Sequence, residues 1–98
     1  MNSRNENHCL HLLVTGSVQG VGFRYFVQQH AQNLNLTGWV RNRMDDRVEI
    51  LASGNQDALL RLLSFVRMGP KSALVTDVEV KWIEQQQMYT RFSIAPTA

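Results

Sequence analysis

Arg24 closes a run in which three glycines fall within seven positions: Gly16-Ser17-Val18-Gln19-Gly20-Val21-Gly22-Phe23-Arg24. Glycine reaches positive φ without strain and lets another group approach the backbone closely. The residues before the run alternate like a strand, and those after it recur at helical spacing, so the run opens a helix. A glycine-rich turn at a helix start aims several backbone N–H groups at one point, where the positive end of the helix dipole adds to them. Arg24 supplies a planar, permanently charged fork suited to two oxygens of one anion. Most arginines are simply solvated. A loop of amides and an arginine placed together form one anion site, where either alone would be weak. Ser17, Val18, Gln19, Gly20 and Val21 are the candidate amide donors, and Arg24 is the candidate clamp. No Lys-Ser or Lys-Thr pair follows, so the nucleotide P-loop is excluded.

Asn42 is the second candidate. It ends a short strand-like stretch, Gly38-Trp39-Val40-Arg41-Asn42. An asparagine there is most often a turn former through its own backbone hydrogen bonds. Its amide could instead hold a water; an amide positions a nucleophile but has no basicity with which to deprotonate it. The residues alone favour the turn. The other polar groups are weaker candidates. His8, His11 and His30 lack metal-ligand spacing, and Cys9 is the single cysteine, so no zinc motif exists. Asp45 and Asp46 are neighbours in a turn and are expected in solvent. Trp39 and Trp82 are expected as core or semi-buried anchors.

Composition narrows the class. Ninety-eight residues suit one domain, expected over 8–98, with a polar, flexible tail over 1–7. The net charge of +2 is mild and scattered, which suits a small anion and gives little support for nucleic acid. The strands also lack the aromatic pattern of RNA-recognition modules. One cysteine forms no internal disulfide, and no signal peptide is visible, so a cytoplasmic location is expected. No apolar run reaches the ~18 residues of a membrane span.

The elements that must position Arg24 and Asn42 read in order. A strand over His8 to Thr15 alternates Leu10, Leu12 and Val14 with His11 and Leu13, as expected of a central strand. A helix follows with Phe23, Phe26, Val27, Ala31 and Leu34 on one stripe. Strands from Trp39 to Asn42 and from Val48 to Ala52 flank a turn and form a hairpin. Asn55 is an N-cap with Asp57 in the first turn of a second helix, striped by Leu59, Leu62, Leu63 and Val66 and ended at Gly69-Pro70. Val78, Val80 and Trp82 alternate with Asp77, Glu79 and Lys81, which predicts a strand with one buried face. Gln85-Gln86-Gln87 connects to a short last strand over Arg91 to Ile94. The order is β-α-β-β-α-β plus one strand. The expected fold is α+β, a ferredoxin-like sandwich with two helices on one face of an antiparallel sheet and a short fifth strand.

With these stretches in place the chain resembles the acylphosphatases. Gly16 to Arg24 resembles the family's first signature, and Gly38 to Asn42 followed by Val48-Glu49 resembles its second. Gly69-Pro70-Lys71-Ser72-Ala73 resembles the loop after its second helix. The resemblance covers about residues 8 to 95 and implies hydrolysis of the carboxyl-phosphate bond of acyl phosphates to a carboxylate and inorganic phosphate. It further implies catalysis by Arg24 and Asn42, a phosphate-binding loop at Ser17 to Val21, and no metal or other cofactor. The partners expected are a small acyl-phosphate substrate and phosphate product, without nucleic acid or membrane, for a monomer. The other reading is a non-catalytic, acylphosphatase-like accessory or anion-binding module, against which the presence of both signature residues, Arg24 and Asn42, argues. One departure stands out. The family's turn carries Asp-Gly where this chain has Asp46-Arg47, and an arginine resists the positive φ of a tight turn.

Overall fold

The computed structural model describes residues 8–84 and 89–98; the tail expected over 1–7 and the Gln85-Gln86-Gln87 connection lie outside them. The elements are β1 (His8–Ser17), α1 (Phe23–Asn33), β2 (Thr37–Asn42), β3 (Val48–Gly54), α2 (Gln56–Met68), β4 (Leu74–Ile83) and β5 (Phe92–Ile94). They form one five-stranded sheet in the order β4-β1-β3-β2-β5. Four strands pair antiparallel, as a ferredoxin-like sandwich requires, and β5 adds parallel to β2, so the complete sheet is mixed.

Both helices lay their apolar stripes on one face of this sheet. Phe23, Val27 and Ala31 of α1 and Leu59, Leu62 and Val66 of α2 are buried there. They join Leu10, Leu12 and Val14 of β1, Val40 of β2 and Val48, Ile50 and Ala52 of β3 in one core. Each fully buried aliphatic side chain of this kind contributes roughly 1.5–3 kcal/mol. The second helix starts as its sequence dictates: the Asn55 side chain accepts the Ala58 N–H at 2.8 Å, with Asp57 in the first turn.

One consequence of the topology governs the site. β1 and β2 are both antiparallel to β3, so they run the same way and their C-terminal ends lie at the same end of the sheet. Val14 and Asn42 both pair with Val48. Directly paired residues share a face, so Asn42 projects from the face that carries the helices. It stands two strand spacings, about 10 Å, from Val14.

Two expectations need correction. The alternating face of β4 is not buried. Val80 and Trp82 pair with Leu12 and Leu10 and share their face, yet they are 37% and 42% exposed. β4 is the edge strand and pairs only with β1, and its outer row receives too little cover from the helices. Trp82 meets the His8 ring edge-on, with ring centroids 6.4 Å apart. The second correction concerns the β2–β3 turn. The left-handed residue is Asp46 (φ 73°), not Arg47. Aspartate tolerates that region far better than a long side chain. The turn closes through Asp46 N–H to Arg43 O at 3.2 Å and Arg43 N–H to Arg47 O at 2.8 Å, so the substitution causes no misfit at Arg47.

Candidate active site

The glycine run joins β1 to α1 and its glycines divide the work. Gly16 (φ 138°) lies where the β1–β4 register shifts, and a Cβ there would collide with the Leu74 carbonyl oxygen. Its role is close strand contact, outside the anion cradle. Gly22 (φ 78°) is the N-cap of α1, and no side chain caps the helix there. A Cβ on Gly22 would meet nothing within 4 Å, so the loop borders open space.

That space is a cavity of about 220 Å³ lined by Val18, Gly20, Gly22, Phe23, Arg24, Tyr25 and Ile94. Among the described residues Arg24, half-buried on its wall, has no acidic partner. Of the candidate loop residues, Val18 and Gly20 share the cavity with Arg24. Ser17 is the exposed last residue of β1, paired with Leu74. Val21 is half-buried, and its carbonyl accepts the Ser72 hydroxyl at 3.1 Å, so the loop after α2 props the glycine run. Gln19 reaches sideways: its Nε2 donates to the carbonyls of Arg43 (2.9 Å) and Arg47 (2.8 Å). One side chain thus ties the loop to the hairpin that carries Asn42.

Asn42 does not line the cavity wall. It closes β2 beside the tether, and its main-chain carbonyl accepts Ala98 N–H at 3.1 Å. Its side chain does not form the turn. Asp45 does, accepting the Arg47 N–H at 3.2 Å. The Asn42 Oδ1 is buried without a hydrogen-bond partner, the single such side-chain atom among the described residues. Buried polar atoms are nearly always paired, so Asn42 stands out among the described residues.

Sequence reasoning missed the group that holds the hairpin. Glu49, only 7% exposed, accepts from Arg41 Nε (2.9 Å) and Arg43 (3.4 Å) on one oxygen and pairs with His11 Nε2 (2.7 Å) on the other. Burial pushes its carboxyl up, but the hydrogen bonds from His11 and Arg41 outweigh it and hold the carboxyl below its ordinary range. Asp45 is also held low, chiefly by its hydrogen bond from Arg47. A glutamate between Val48 and Ile50 was the available signal, since a strand position there is costly for a charge without partners. Among the described residues no group of three His, Cys, Asp or Glu side chains is placed to hold a metal ion, and no helix is long and apolar enough to cross a membrane.

Fold and site together define a small α+β sandwich whose first loop and helix start border a cavity beside an arginine with no acidic partner among the described residues. The comparisons with known proteins agree. The acylphosphatase family model matches residues 10–94. An acylphosphatase of Bacillus subtilis (strain 168) is 48% identical over 83 residues, which cover 85% of this chain and 91% of the relative. The crystal structure of acylphosphatase from Bacillus subtilis superimposes with a TM-score of 0.87 at 45% identity, covering 90% of this chain and 98% of that one. Full-length HypF in its phosphate- and nucleotide-bound form matches with a TM-score of 0.87 at 26% identity, over 95% of this chain but 12% of that one. The chain belongs to the acylphosphatase family. Its activity is that of the family, the hydrolysis of acyl phosphates.

Proposed function

We propose that the chain hydrolyses acyl phosphates without a metal, by positioning and charge stabilisation alone, as a cytoplasmic monomer. The phosphoryl group sits in the glycine loop, its oxygens held by the backbone amides of Ser17 to Val21. Arg24 clamps two of those oxygens and stabilises the charge that builds as the bond to the leaving oxygen weakens. The Asn42 side chain holds the attacking water in line with that bond. The water oxygen bonds to phosphorus, and the electron pair of the P–O bond leaves with the carboxylate. The water's proton passes to a phosphate oxygen of the substrate. A mixed anhydride has a good leaving group, so no strong general base is needed.

The observation that carries this reading is Arg24, which borders the cavity with no acidic partner among the described residues, while Gln19 ties the glycine loop to the hairpin that follows Asn42. Hydrolysis of benzoyl phosphate in excess chelator tests it. The expected result is full turnover with inorganic phosphate as a competitive inhibitor. Turnover that collapses with chelator and returns with a divalent cation would overturn the metal-free mechanism.

A further inference from the structure

One carboxylate holds both sequence neighbours of Asn42. In the β2–β3 ladder Asn42 pairs with Val48 and Arg41 with Glu49. Side chains alternate along a strand, so Arg41 and Glu49 lie on the face turned away from the helices, behind Asn42. There the Glu49 Oε1 accepts from Arg41 Nε at 2.9 Å and from Arg43 Nη1 at 3.4 Å. Its Oε2 pairs with His11 Nε2 of β1 at 2.7 Å. Glu49 therefore grips the residue before Asn42 and the residue after it, and is itself anchored to a central strand. At 7% exposure these charged bonds are shielded from water and salt, unlike an ordinary surface pair.

Asn42 is the last residue of β2, where the ladder gives way to the turn. Its Oδ1 finds no hydrogen-bond partner among the described residues, so the direction of its amide follows the backbone that carries it. Main-chain bonds to Ala98 hold the Asn42 carbonyl at 3.1 Å and the Met44 N–H at 2.8 Å. They keep the end of the hairpin attached, and the two gripped arginines set its tilt. We infer that Glu49 is a positioning residue for the hydrolysis: from the back of the sheet it holds Arg41 and Arg43, and so aims the Asn42 side chain. Glu49 does not line the cavity, so it acts through Asn42 and not on the phosphoryl group. This rests on Asn42 holding the attacking water, as proposed above.

The test is a double-mutant cycle on benzoyl phosphate, with the inhibition constant of inorganic phosphate measured alongside and folding checked by circular dichroism. Glu49→Gln should lower kcat roughly tenfold, as a slightly misplaced group does, and leave the phosphate constant within about twofold. In an Asn42→Ala background the same change should lower kcat by less than about twofold, because the group it aims is gone. Arg43→Ala removes one arm of the grip and should lower kcat about threefold with the same dependence on Asn42, which keeps the test open if Glu49→Gln does not fold. Asn55→Ala, which destabilises α2 by removing its cap and leaves β2 untouched, should keep normal kcat. Normal kcat in folded Glu49→Gln, or an equal loss with and without Asn42, would overturn the positioning role. So would a rise in the phosphate constant that matches the loss in kcat. If Asn42→Ala turns over normally, the water-holding reading fails and the positioning role falls with it. A slow Asn42→Ala beside a normal Glu49→Gln rejects the positioning role alone.

Discussion

Two regions of the molecule use arginine in opposite ways. At the β2–β3 hairpin, Arg41, Arg43 and Arg47 are all engaged by carboxylates: Glu49 takes the first two, Asp45 takes Arg43 and Arg47, and Glu79 stands 3.7 Å from Arg47. Arg41 also lies over the Trp39 ring, 4.4 Å from its centroid. These charges are spent on shape. At the start of α1, Arg24 borders a cavity with no acidic partner among the described residues. A guanidinium without an anion of its own is available to a ligand's anion, whereas a neutralised one builds scaffold. The difference teaches that residue type does not separate scaffold arginines from candidates for a ligand. What singles out Arg24 is an unpaired charge at the cavity wall, since Arg61, Arg67 and Arg91 also lack an acidic partner among the described residues but do not line that cavity.

Breaking the contrast at its functional end should give the largest effect. Arg24→Lys keeps the charge but loses the fork, and kcat/KM should fall on the order of 10²–10³-fold, as when one transition-state donor is removed. Near-normal kcat/KM on benzoyl phosphate would place Arg24 outside the machinery.

At the structural end, Glu49→Gln should cost about 2 kcal/mol of stability by urea denaturation at pH 7, because two arginines lose their carboxylate in a buried setting. The folded-state pKa of Glu49 is depressed, so its contribution is fully present above its unfolded value of about 4.5. It is lost as pH falls through the lower folded value, and the stabilities of wild type and variant should converge there. A gap that stays constant down to pH 2 would contradict the assignment.

The smallest effect should come from the link between the regions. Gln19→Ala removes the tether, but the Arg43 and Arg47 carbonyls keep main-chain donors at 3.2 Å and 2.8 Å. Stability should drop by only about 1 kcal/mol. Turnover should drop roughly tenfold, because loop and hairpin no longer hold their mutual position. Unchanged kcat in the folded variant would reduce Gln19 to a surface contact.

Much of this was legible in residue order. The helical stripes, the Asn55 cap and the β-α-β-β-α-β succession each follow from local periodicity and capping chemistry, which act over a few residues. The edge position of β4 was not legible, because alternation in Val78, Val80 and Trp82 reports a face without reporting what covers it. The turn was misjudged by one position, since the left-handed residue is fixed by the hairpin's hydrogen-bond register, which no dipeptide specifies alone. Within the site, Arg24 and the loop stood out by their spacing. Asn42 reads as a turn former from the residues alone and as catalytic only through the resemblance; in the structure Asp45 does the turn's work. The Gln19 tether and the His11–Glu49 pair join residues 24 or more positions apart, which only the assembled sheet brings together.

With phosphate binding proposed for Arg24 and water placement for Asn42, competitive inhibition by inorganic phosphate in the two variants, side by side, is the most direct test. In Arg24→Lys the inhibition constant should rise together with the loss of turnover. In Asn42→Ala turnover should fall about 10²-fold while the inhibition constant stays within about twofold of wild type, the signature of an interaction made in the transition state and not in phosphate binding. An Asn42→Ala protein that is folded yet binds phosphate as poorly as Arg24→Lys would contradict this division of labour.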